Sequence, residues 1–139
     1  MEYRKYNRDY VIRLDRGDEI VACLRSLAEK EHIRLAYLTG IGAVGTVTAG
    51  VFDTKEKVFK GHTWTGDLEI VSIGGNISTM NGEVYTHFHI SVADEAGAVF
   101  GGHLNEAVIS GTGELVLTVI DGEADRAFDS EIGLNLLKL

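Results

Sequence analysis

His87 and His89 stand two residues apart in the apolar, β-branched run from Val84 to Val92. In a strand, residues i and i+2 project from one face. Both imidazoles then point the same way and can reach one ion at the roughly 2.0–2.1 Å that zinc takes from histidine. His103 follows the turn Asp94-Glu95-Ala96-Gly97 and the pair Gly101-Gly102. A hairpin of that length folds it back against His89 or His87. Three imidazoles with a fourth position open are the ligand set of a catalytic-type zinc site. The same spacing also occurs in histidines satisfied within a core or an interface, so spacing alone leaves both readings open. Asp94 and Glu106 are the nearest carboxylates. Glu106 has the place of a fourth ligand, an orienting partner for an imidazole, or the general base of an enzyme. Solvated turn charge is the alternative for both. His32 after the helix and His62 beside Trp64 read as surface residues.

Other chemistry finds less support. Gly40-Ile41-Gly42-Ala43-Val44-Gly45 spells G-x-G-x-x-G, but a dinucleotide site needs a helix after it to bind the pyrophosphate. The next segment, Thr46 to Val51, is β-branched and reads as strand, so the glycines mark a strand crossing with close packing. Cys23, the one cysteine, falls on an apolar helix face and reads as core. It cannot form an internal disulfide, which suits a reducing compartment. Ser91 and Ser110 have no context marking a nucleophile. Cupins carry H-x-H, then Glu three or four residues on, and later a Pro-containing motif. Val92 and Ala93 hold those positions here and the chain has no Pro, so that pattern fails.

The elements that must position the histidines are legible from periodicity. Tyr10, Ile12 and Leu14 alternate as a half-buried strand. A helix is expected from Gly17-Asp18 to Glu31 or His32, with Ile20, Cys23, Leu24, Leu27 and Ala28 on one face and Asp18 and Glu19 in its first turn. Strands are expected over 34–38, 44–52, 58–64, 68–78, 84–92 and 98–100. A long one runs over 107–120, with bulges at Gly111 and Gly113. Met80-Asn81-Gly82 signals a hairpin. The tail 124–139 is a last strand or short helix whose Leu134, Leu136, Leu137 and Leu139 want burial. The sum is an α+β fold, a mainly antiparallel sheet of about seven strands with one main helix, in a single domain over 1–139.

Composition sets the outer bounds. The chain has 139 residues, 45% hydrophobic, with 17 Gly, no Pro and a net charge of −8. That charge opposes non-specific binding to nucleic acid and anionic membranes. No run approaches the roughly 18 apolar residues of a membrane span, and no signal peptide is visible, so a cytoplasmic location is expected.

The run Thr86-His87-Phe88-His89-Ile90-Ser91-Val92-Ala93-Asp94-Glu95-Ala96-Gly97, with Gly101-Gly102-His103-Leu104, resembles the prokaryotic form of the plant-and-prokaryote-conserved (PPC) domain, called AT-hook-associated in plants. Gly66-Asp67-Leu68-Glu69-Ile70-Val71-Ser72, Gly40-Ile41-Gly42-Ala43, and Arg126 with Gly133-Leu134 resemble further segments of it. The resemblance runs from about Tyr10 to Leu137 and implies a compact α+β fold, assembly as a homotrimer, and a divalent metal, zinc by the ligand set, at His87, His89 and His103. Plant members add an AT-hook, a basic Arg-Gly-Arg-Pro segment. The only Arg-Gly here is Arg16-Gly17, with Asp18 next, so no DNA-binding role through an AT-hook carries over. The expected function is a stand-alone trimeric metal-binding module. The alternative is a metal-dependent hydrolase or lyase acting on a small molecule, with Glu106 as its base. A third reading, DNA binding, would rest on Arg4, Lys5, Arg8, Arg13 and Arg16.

Overall fold

Alternation of apolar and polar side chains builds the N-terminal hairpin. In the computed structural model, which describes residues 1–139, β1 (Glu2–Tyr6) pairs antiparallel with β2 (Asp9–Asp15). Tyr10, Ile12 and Leu14 of β2 point inward and are fully buried. β1 is too polar to announce itself in the sequence, because only its pairing with β2 makes it a strand.

Helix α1 (Ile20–Lys30) starts with the first residue of its apolar face, after the expected opening at Gly17-Asp18. Glu19 is the N-cap, its carboxylate accepting from the Val21 and Ala22 amides at 3.0 and 2.6 Å, which satisfies two orphan donors of the first turn. Asp18 lies outside the helix and pairs with the N-terminal amine at 2.7 Å. Asp18 and Glu19 therefore precede the first turn rather than occupy it. The helix buries Ile20, Leu24, Leu27 and Ala28 against β5 (Glu83–Ala93) and β6 (Val99–Val119).

Several expected strand breaks are bends. β3 runs unbroken over Ala36–Asp53 and β4 over Val58–Met80. Register shifts at Gly40/Gly42 and Val44/Thr46 bend β3 instead of ending it, as an extra unpaired residue does in a bulge. The strand expected over 98–100 and the one over 107–120 are likewise one element, β6. Its pairing with β3 slips between Ile109 and Gly113, where the glycines suggested bulges. Asn81 and Gly82, with φ of 54° and 84°, make the tight turn from β4 to β5.

The six-stranded sheet has the order β1-β2-β6-β3-β4-β5, and the start of β6 also pairs with β5. Strands β6, β3, β4 and β5 thus close on themselves. The inner side carries Phe88, Ile90, Val92, Leu38, Ile73 and Ile109, all buried. A two-stranded ribbon, β7 (Asp125–Asp129) with β8 (Leu134–Lys138), completes the chain, and β7 packs against β4. The tail is strand, and its leucines are not buried within the chain. Leu134, Leu136 and Leu137 are 37–41% exposed and Leu139 fully so, because the ribbon has no layer over its outer side. α1, at 11 residues, is not long enough to cross a membrane, and no helix here is long and apolar enough to do so.

Candidate metal centre

The alternation of β5 sorts its side chains between the two faces of the sheet. Phe88 and Ile90 go into the core, while His87 and His89 go to the outer face. The third histidine arrives through the β5–β6 hairpin. The Asp94 carboxylate accepts from the amides of Ala96 and Ala98 at 3.0 and 2.9 Å, and Gly97 closes the turn with φ of 78°. That turn sets the register, which puts His103 directly opposite His89. Gly101 and Gly102 permit the approach. A Cβ on Gly101 would collide with the Ile90 carbonyl, and one on Gly102 with the Gly50 carbonyl.

The three imidazoles therefore face one another. Ring centroids lie 5.3 Å apart for His87 and His89, 5.1 Å for His87 and His103, and 5.6 Å for His89 and His103. One nitrogen from each falls within 4.8 Å of the other two. Burial, then the charges of His103, Arg126 and His89, hold the His87 pKa down to about 4. Burial, then His89, lowers that of His103. Neutral imidazoles present the lone pairs a metal ion takes. The donor set and its convergence thus fit a divalent ion, which takes histidine nitrogens at roughly 2.0–2.1 Å. An open depression of about 460 Å³ lies beside His89, lined in part by Tyr37, Ser72 and Ser91.

The remaining residues singled out by sequence are placed elsewhere. Asp94 builds the turn. Glu106 is exposed on β6 opposite Thr48 and is not part of the cluster. His62 is exposed, its ring 5.7 Å from that of Trp64, and His32 lies just past the helix with φ of 55°. Burial pushes the Cys23 thiol pKa up, which suits packing and not nucleophilic attack. The G-x-G-x-x-G glycines lie inside β3 with no helix after them, and Gly42 pairs with Gly113 of β6.

One group beside the triad was marked in the sequence only as part of a tail motif. Arg126 of β7 is 6% exposed. Its Nε donates to Ser78 Oγ at 2.8 Å, its Nη1 to the Asn135 carbonyl at 2.8 Å and its Nη2 to Asn76 Oδ1 at 2.9 Å. Its guanidinium lies 4.6 Å from the Tyr85 ring centroid. Asn76 is the register partner of His87. The available signal was the spacing of Asn76 and Ser78, polar residues two apart and so on one face of β4.

Comparison with known proteins agrees with this architecture. A proposed DNA-binding protein from Bacteroides thetaiotaomicron superposes with a TM-score of 0.96 at 32% identity, over 99% of this chain and 96% of that one. A metal-containing protein from Archaeoglobus fulgidus gives 0.87 at 30% identity, over 99% and 97%. α-Acetolactate decarboxylase from Bacillus subtilis shares the fold alone, with a TM-score of 0.59 at 12% identity over 88% of this chain and 57% of that one. A bifunctional GlmU protein from Synechococcus is 28% identical over 110 residues, which cover 78% of this chain and 16% of that protein's length. The model of the Plants and Prokaryotes Conserved (PCC) domain, that is, the PPC domain, matches residues 1–121. With that match over most of its length, the chain belongs to the Plants and Prokaryotes Conserved domain family.

Proposed function

We propose that the protein is a homotrimeric metal-binding module in which His87, His89 and His103 hold a divalent ion, zinc by the ligand set, on the outer face of the sheet. The observation that carries this reading is the convergence of three imidazoles, with one ligand nitrogen from each within 4.8 Å of the other two. The metal-containing relative from Archaeoglobus fulgidus supports it. An ion so held would act as a Lewis acid and lower the pKa of bound water to about 7. Trimer formation is supported by the apolar side chains left exposed, among them Tyr37, Ile41, Val71 and Phe128, which self-association would cover. Metal analysis of protein purified without a histidine tag tests the reading. About one ion per chain, lost in His87→Ala/His89→Ala, is expected. No metal in the wild type, or equal content in the variant, overturns it.

The space beside His89 favours a second reading, a metal-dependent lyase or hydrolase acting on a small molecule. The fold shared with a decarboxylase shows that such a sheet can carry a lyase. Glu106, outside the cluster, has a base's role only in this reading. A DNA-binding role is not adopted. The net charge is −8, and two of the early basic residues are already engaged. Arg13 pairs with Glu2 and Asp15, and Arg16 donates to the Ser110 carbonyl.

A further inference from the structure

Arg126 is almost fully buried, yet none of the ion pairs of the chain includes it. Its three hydrogen bonds go to a serine hydroxyl, a backbone carbonyl and an asparagine amide oxygen, and its flat face lies over Tyr85. All four partners are neutral. Burying a cation without a counter-charge is costly, and dipoles and a ring face offset only part of that cost. A guanidinium has five N–H donors. Three are used, which leaves one on each terminal nitrogen, the pair that a carboxylate accepts from in a fork. Asn76, which accepts from Nη2, stands directly across from His87, so the free positive charge is fixed beside the histidine triad. A divalent ion on the triad would add to it.

We propose that Arg126 receives the carboxylate of a small organic acid whose other end reaches the open position of the metal. The second anchor rests on the metal-binding reading above, while the first does not.

The test titrates pyruvate, and acetone as its carboxylate-free counterpart, into tag-free protein loaded with cobalt(II), whose visible spectrum reports the metal. The melting temperature of metal-free protein is tracked with the same two probes. Two variants are compared: Arg126→Met removes the charge, and Asn76→Asp gives Arg126 a carboxylate of its own at the position it already contacts. Pyruvate is expected to change the cobalt spectrum and raise the melting temperature, with affinity at least tenfold weaker in both variants, and acetone to do neither. Should Arg126→Met not fold, Asn76→Asp decides. Cobalt uptake with pyruvate affinity within twofold of wild type in the variants overturns the proposal and leaves the metal reading standing. No cobalt uptake, with pyruvate still stabilising the wild type but not the variants, supports the Arg126 assignment and removes the metal. No pyruvate binding by the wild type, together with loss of the oligomer in Arg126→Met, overturns the proposal and identifies the counter-charge as a carboxylate from a second copy.

Discussion

At the scale of single residues, protonation governs what the histidines do. His87 stays neutral in the folded chain until about pH 4 because burial and three neighbouring groups oppose its charge, whereas an exposed histidine takes a proton near pH 6.5. Between those values the unfolded chain binds more protons than the folded one, so stability rises with pH across the window and is lost as pH falls through it. The urea midpoint of metal-free protein is therefore expected to drop between pH 7 and pH 5, and to drop less in His87→Asn. An equal drop in both would show that His87 does not contribute. The residue types and the two-residue spacing of His87 and His89 were legible in the sequence, since strand alternation is local. Arg126 was not legible as a neighbour of His87, because nothing within a few positions of either residue encodes contact across about 40 residues of chain.

At the scale of elements, the site is made by one hairpin and the strands that clamp it. Asp94 and Gly97 fix the register of β5 against β6, and a slip of one residue would turn His103 to the other face. Gly101 lies against the Ile90 carbonyl where no side chain fits. Gly101→Ala must push the strands apart, and about 1–3 kcal/mol of stability should be lost, as in other overpacked sites, together with bound metal. Chemical denaturation and metal analysis check this, and a variant with wild-type stability and metal content contradicts it. The sequence showed the helix, the Asn81-Gly82 turn and the strand character of most of the chain. It placed breaks at Gly40–Gly45 and around Gly66 because glycine commonly ends strands. In the structure the same glycines bend continuous strands, since partners on both sides of β3 hold it together through the bulges.

At the scale of the whole molecule, the exposed apolar surface is the feature the single chain leaves unsettled. The ribbon presents Phe128 at 63% exposure and Leu136 at 41%, and hydrophobic surface of this kind marks contact with another protein when it is contiguous. Light scattering at micromolar concentration is expected to give the mass of three chains for the wild type and a lower mass for Leu136→Asp. A monomeric wild type would overturn the trimer. The expectation that the tail leucines are buried fails within one chain because the ribbon covers β4 on one side only.

The sequence by itself determined the α+β class, the shared face of His87 and His89, the apolar face of α1 and the identity of the three histidines. These stem from periodicities of two and 3.6 residues, which any short segment carries within itself. Only the tertiary structure decided that His103 stands opposite His89, that Glu106 falls outside the cluster, and that Arg126 arrives beside His87 without a counter-charge. Those outcomes depend on strand register, on the closure of β6 against β5 and on where the C-terminal ribbon docks. Each of them is set by the summed packing of segments far apart in the chain, which no local pattern contains.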